Sequence, residues 1–398
     1  MRKVIFWAHL IAGVTAGLVI LLMSATGVLL TYEKQMIAWS DRTDLVQPPS
    51  TSAVRLPIDD LLRAARENNP DTMVTGLTVS SVPGAPALAT IGPRTIALNP
   101  YTGTVLGEAS PTLRAFFRGV TSWHRWLAVD GPGRQVTRAI TGWGNVLFLL
   151  IVMAGPFIWF PRKWTAAQFR AVLLFKGGLR GKARDFNWHN VIGIWSFVPL
   201  FVIVLSALPM SFTWANRALY RSVGETPPVP AGQAAAARGR GAAPRNGAPA
   251  SEAAHARVKV ERVIEPLWVK AEQQVEGWRT ISARFGNNAN APLAFTIDRG
   301  TGGQPQLRGT LTLDRATGDV VRWESFDTQS TGRRLRTFSR FAHTGEVFGI
   351  VGQTIAGLAS AGAVVLVWTG LTLTLRRFNA WRNRRREQLP VFSRRNAA

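Results

Sequence analysis

The chain contains no cysteine. That single absence excludes disulfides, thiolate metal sites, thiol nucleophiles and covalent attachment of a c-type haem. Histidine is scarce as well, with five residues at positions 9, 124, 189, 255 and 343 among 398. A metal held by this chain would need ligands other than thiolate, and imidazole is the obvious one. Acidic residues number 23 against 47 lysines and arginines, a formal net charge of +24. No carboxylate falls inside any of the long uncharged runs, and none stands in a His-Glu-x-x-His spacing, which argues against a zinc site at the histidines.

What the chain does have is apolar length. Hydrophobic residues make up 46%, with 15 tryptophans. The basic residues flank apolar runs, the arrangement of a membrane protein in contact with lipid; a nucleic-acid binder would spread them along amphipathic or flexible segments. Four uncharged runs cover residues 4–32, 139–160, 186–216 and 347–375, each at or above the roughly 20 residues that span a bilayer. The first run is much longer than the roughly 7–15 residues of a signal h-region, so an uncleaved anchor is expected. Basic residues at 2–3, 162–184 and 376–386 place those segments and both termini in the cytoplasm. The domain reading that follows is span 1 over 1–32, span 2 over 134–161, span 3 over 186–216 and span 4 over 336–376. A basic loop covers 162–185 and a basic tail 377–398.

Two segments between spans read as small α+β domains outside the cytoplasm, 33–111 and 217–335. The first has an amphipathic helix with Ile58, Leu61, Leu62 and Ala65 on one face, then strands near 73–79, 88–91 and 95–98. The second has a helix over 258–273 and strands near 279–285, 293–298 and 306–313. Leu98-Asn-Pro-Tyr-Thr-Gly103-Thr-Val matches Leu313-Asp-Arg-Ala-Thr-Gly318-Asp-Val, the mark of an internal repeat. Residues 224–256, rich in Ala, Pro, Gly and Arg, form an insert expected to be disordered, and His255 lies in it. Residues 112–133, with aromatics and arginines interleaved, are expected as a helix at the membrane interface carrying His124. The fold class is thus a membrane all-α core of four helices in tandem duplication, with two small extracytoplasmic domains.

The repeat extends to the histidines. His9-Leu-Ile-Ala-Gly13 opens the first span as His189-Asn-Val-Ile-Gly193 opens the third. His124 and His343 sit where each returning span begins. Alone, each histidine is an interfacial residue with a satisfied hydrogen bond, and each glycine a packing position. Four histidines at two matched depths are instead what bis-imidazole ligation of two b-type haems requires. Depth pairs His9 with His189 and His124 with His343; a pairing of His9 with His124 inside one half depends on helix geometry. Gly13, Gly17 and Gly193 would leave room for the macrocycle, and Arg118, Arg125 and Arg340 could meet haem propionates.

Trp123-His124-Arg125-Trp126-Leu127, Trp188-His189 through Trp195, His343-Thr-Gly-Glu-Val-Phe-Gly349 and Leu366-Val-Trp-Thr-Gly370 resemble the PepSY-associated transmembrane proteins. The resemblance covers nearly the whole chain apart from the 224–256 insert and the last residues. It implies PepSY-like domains at the two extracytoplasmic segments and haem-ligand positions at His9, His124, His189 and His343. Members of that family include iron-regulated inner-membrane proteins and reductases that release iron from ferric siderophores in the periplasm. Two departures stand out. Leu208-Pro209 replaces the Thr-Gly expected near the end of span 3, and an extra stretch through Gly133 separates His124 from its span. No flavin or nicotinamide domain follows span 4, so the electron donor is expected to be a separate protein or a quinone.

The leading functional reading is a di-haem electron carrier, an oxidoreductase in iron uptake acting on a periplasmic ferric chelate. The alternative is a non-enzymatic anchored protein whose PepSY-like domains bind or restrain a partner such as a peptidase. A permease is disfavoured by four spans with no internal carboxylate.

Overall fold

The computed structural model describes residues 1–42, 46–48, 50, 53–159, 165–228, 263–286, 288 and 291–388. Most of the 224–256 insert, with His255, and the basic residues Arg162 and Lys163 lie outside them. In chain order the helices are α1 (Arg2–Leu30), α2 (Glu33–Ser40), α3 (Ile58–Glu67), α4 (Pro111–Trp126), α5 (Arg134–Trp159), α6 (Ala166–Leu173), α7 (Gly181–Ser211), α8 (Thr213–Arg221), α9 (Glu265–Gln273), α10 (Thr331–His343) and α11 (Gly349–Gln388). The strands are β1 (Val74–Ser80), β2 (Ala87–Ile91), β3 (Arg94–Leu98), β4 (Val105–Glu108), β5 (Thr280–Arg284), β6 (Leu293–Asp298), β7 (Arg308–Leu313) and β8 (Val320–Ser325).

These elements form two compact units. The helical unit comprises residues 1–33, 113–215 and 338–398. Its four long helices coincide with or overlap stretches long and apolar enough to cross a membrane, Arg2–Ser40, Gly131–Trp159, Gly181–Ser211 and Glu346–Arg386. Each of α1 and α7 packs against both α5 and α11. Small residues let the backbones approach, as is usual where lipid supplies no hydrophobic drive between helices. A Cβ on Gly362 would lie 2.7 Å from the Ser196 hydroxyl, and one on Gly144 would lie 2.9 Å from Val19. Buried Asn145 ties α5 to α7 through the Val204 carbonyl at 3.0 Å. Asp185, the single acid of the basic loop, is buried and pairs with Arg184 at 2.9 Å and Arg376 at 3.3 Å.

Several bounds differ from the sequence reading. The third span starts earlier, at Gly181, and stops at Phe212, after which α8 is a separate helix. The last helix runs on past Leu375 through its arginines to Gln388. The second amphipathic helix begins at Glu265, where Pro266 suits the first turn, which has no use for its missing N–H. The interfacial helix stops at Trp126, because Leu127 and Ala128 both adopt left-handed backbone, at φ +52° and +57°. Their amides close the helix end on the carbonyls of Trp123 and Ser122.

The second unit comprises residues 34–112 and 216–337. The segments expected as two separate small domains contribute to one eight-stranded antiparallel sheet, ordered β4-β3-β2-β1-β5-β6-β7-β8. The join is the β1–β5 pair, registered from Gly76↔Arg284 to Ser80↔Thr280. Half a sheet would expose β1 as an edge of unpaired amides and carbonyls; pairing with β5 satisfies them. A single core follows, in which Ile58, Leu61 and Leu62 of α3 and Trp268 of α9 cover strand residues from both halves. The two matched turns also share their hydrogen bonds. Asn99 Oδ1 accepts from the Tyr101 and Thr102 amides and Asp314 Oδ1 from those of Ala316 and Thr317, while Gly103 and Gly318 sit at φ +74° and +73°.

Candidate functional site

All four histidines expected at the site lie in the helical unit, and the structure brings them together in two pairs. The rings of His9 on α1 and His189 on α7 are centred 6.4 Å apart, with their planes at 79°. Those of His124 on α4 and His343 on α10 are centred 6.3 Å apart, at 57°. The pairing is therefore across the two halves of the sequence.

The spacing has a chemical meaning. A metal–imidazole nitrogen bond is about 2.0–2.1 Å, and a ring nitrogen lies about 1.1 Å from the ring centre, so two imidazoles on opposite sides of one ion stand about 6.3 Å apart, centre to centre. Both pairs are close to that value. Among the described residues, no group of three or more histidines and carboxylates gathers. Each pair brings two imidazole rings together.

The backbone and hydroxyl partners decide which nitrogen is free. Thr369 on α11 gives its hydroxyl proton to the Val365 carbonyl at 2.8 Å. Its oxygen can therefore only accept, and His189 Nδ1–H donates to it at 2.9 Å. Thr26 on α1 behaves alike, with its proton on the Leu22 carbonyl at 2.6 Å and its oxygen accepting from His124 Nδ1–H at 2.9 Å. His343 Nδ1–H donates to the Ile203 carbonyl at 2.8 Å. In all three rings the proton is on Nδ1, and Nε2 keeps its lone pair for a ligand role. Burial, and after it the neighbouring His343, lowers the His124 pKa from 6.5 to about 4, and burial lowers that of His343. Both are neutral near pH 7, the form a metal binds.

His9 is the exception. Its Nδ1 is buried with no hydrogen bond of acceptable geometry, although the Ile151 backbone on α5 is close enough to interact. The reason is legible in the chain. Ile151-Val-Met-Ala154-Gly155 on α5 matches Leu366-Val-Trp-Thr369-Gly370 on α11, and His9 meets Ile151 as His189 meets Leu366. Ala154 thus stands where a threonine would serve His9.

The surroundings sort the other expected residues. A Cβ on Gly13 would meet nothing within 4 Å, and one on Gly193 only Leu366 at 3.7 Å, so both leave space. Gly17 instead packs against Leu371 at 3.4 Å. The glycines that touch the rings are others: a Cβ on Gly370 would lie 3.3 Å from His189 Cε1, and one on Gly27 would lie 3.8 Å from His124 Cε1. Arg125 and Arg340 adjoin the His124–His343 pair, and burial together with Arg340, Arg138 and Arg134 lowers the Arg125 pKa. Arg118 is exposed earlier on α4. Arg134 and Arg138, with Trp126 under the Arg125 and Arg134 guanidiniums at 4.6 and 4.1 Å, were not anticipated.

The family of the PepSY-associated TM region matches residues 6–377. The chain belongs to that family. The PepSY-associated match runs from α1 into α11, so it takes in both histidine pairs and both contributions to the sheet. No curated protein matches the sequence. Thr26 and Thr369 could have been found in the sequence: both precede a glycine, Thr26-Gly27 and Thr369-Gly370, deep in an apolar span.

Proposed function

We propose that the protein carries electrons across the bacterial inner membrane through two b-type haems and delivers them to a periplasmic ferric chelate, such as a ferric siderophore. The observation that carries this reading is the pair of matched histidine sites, each spaced for one six-coordinate ion and, at three of the four rings, fixed as the Nδ1–H tautomer. Held there by the two imidazoles of each pair, a haem would supply one-electron chemistry.

The chain's own residues bind and arrange. His189, His124 and His343 present Nε2, and His9 faces His189 across the first site. Thr369, Thr26 and the Ile203 carbonyl hold three of the rings. Gly13 and Gly193 leave width beside the first pair, and Arg125 and Arg340 place positive charge for propionates at the second. Because Thr26 holds His124 and shares α1 with His9, the sites lie about 26 Å apart along that helix at 1.5 Å per residue. That is most of a hydrocarbon core about 30 Å thick. On the positive-inside reading His9 and His189 face the cytoplasmic leaflet, where a separate reductase or a quinone would donate. His124 and His343 face the periplasm. Each electron delivered turns one ferric ion ferrous, and ferrous iron is held more weakly by oxygen-donor chelators, so the metal is released.

The test is an absorption spectrum of detergent-purified protein, oxidised and dithionite-reduced, with haem counted per chain. Two low-spin b-type haems support the reading, and ferric-chelate reduction is then the next assay. Absence of haem after expression with ample haem supply overturns it. The self-contained core of the sheet unit favours a second reading in that event, an anchored domain that binds a periplasmic partner such as a peptidase.

A further inference from the structure

We infer that Ala154 makes the two sites unequal, by withholding from His9 the Nδ1 hydrogen bond that the other three histidines have. The inference rests on the haem reading above, and it assigns to α5 a role in setting the potential of the His9–His189 site.

The comparison is internal to the molecule. Thr26 and Thr369 each spend their hydroxyl proton on a carbonyl of the preceding turn and accept from a histidine Nδ1–H at 2.9 Å. A serine or threonine in a helix makes that backward bond readily, which turns its oxygen into a pure acceptor. In the third span Leu208 and Pro209 replace the Thr-Gly pair, yet His343 is still served, because its Nδ1–H reaches the Ile203 carbonyl at 2.8 Å. Ala154 carries no hydroxyl, and the Ile151 backbone approaches His9 without forming a bond of acceptable geometry. This alanine is buried, and the enclosed His9 Nδ1 lacks a hydrogen bond of acceptable geometry.

A donor bond from Nδ1–H places electron density on the imidazole and makes Nε2 a stronger ligand for the ferric state. Its loss favours the ferrous state and raises the potential of the site, since hydrogen bonding around the ligands is one of the protein's levers on haem potential. Ala154 is thus a positioning residue that acts through His9. The His9–His189 site has one served imidazole, and the His124–His343 site has two.

The experiment is a redox titration of the haem-loaded full chain with Ala154→Ser, Ala154→Thr and Thr369→Ala, each beside wild type. His9→Ala identifies which haem belongs to the site. Ala154→Ser is expected to lower the midpoint potential of that haem alone and to shift its low-temperature EPR signal. Thr369→Ala is expected to raise the same potential, and Thr26→Ala that of the other haem. Serine adds one heavy atom, so it keeps the test decisive if threonine does not fit. A haem-loaded protein whose potentials ignore Ala154→Ser overturns the inference alone; a wild-type chain that binds no haem overturns the electron-carrier reading with it.

Discussion

Asp59 caps the helix that Glu265 opens, and Glu265 caps the helix that carries Asp59. The Asp59 carboxylate accepts the Ile264 amide at 2.8 Å and the Glu265 amide at 3.1 Å, and the Glu265 carboxylate accepts the Ile58 amide. First-turn amides have no partner within their own helix, and a carboxylate there also meets the positive end of the helix dipole. The exchange fastens α3 to α9, and so one half of the shared sheet to the other. Asp59→Ala should cost about 1 kcal/mol, the usual value of such a cap. The unfolding midpoint of the sheet unit should fall, followed by the fluorescence of its buried Trp268, while the haem content stays unchanged. A midpoint equal to wild type would count against the exchange as a stabilising link.

Single histidine variants should act by pair rather than by sequence half. His9→Ala and His189→Ala are each expected to remove the same haem, and His124→Ala and His343→Ala the other, since their rings face each other at 6.4 and 6.3 Å. On the two-haem reading proposed above, haem per chain should fall from two to one in every case. The double variant His9→Ala/His124→Ala should lose both. One remaining haem in that variant would point to pairing within a half.

Gly345 turns the chain just after His343, at φ +74°. A side chain there meets a left-handed penalty of about 1–2 kcal/mol, and its Cβ would also collide with the Gly352 carbonyl. Gly345→Ala should therefore displace His343 and empty that site before the His9–His189 site. Gly318→Ala is the control. It has φ +73°, but its Cβ would meet only Leu267 at 3.6 Å, so it should weaken the sheet unit and leave both haems in place.

Acid should act on the haem-free protein through His124. Its pKa is about 4 in the fold against an ordinary 6.5. Between those values the unfolded chain takes up a proton that the folded chain refuses, so stability rises with pH across that window. The thermal midpoint of haem-free protein should be lower near pH 4 than near pH 6.5. His124→Gln should lose that part of the dependence, and a full pH dependence in the variant would assign it to other groups.

Much of this protein was decided along the chain. An uncharged run of about 20 residues has few options but a helix, because lipid offers no partner to backbone amides and carbonyls. The four long helices were therefore readable from residues 4–32, 139–160, 186–216 and 347–375. The strands were readable to within a residue or two, as were the Asn99 and Asp314 turns. What the tertiary structure alone decided is which surfaces meet. Pairing of β1 with β5 depends on backbone groups that every residue carries, so no side chain announces it, and two expected domains became one sheet. Matched depth suggested His189 for His9, but whether the two rings meet depends on how α1, α5, α7 and α11 pack, which periodicity does not express. Thr26, Thr369 and Ala154 gained their meaning the same way. A hydroxyl in an apolar span looks like any helix-packing residue until the ring it serves is brought beside it, and a missing hydroxyl shows only against the helices where one is present.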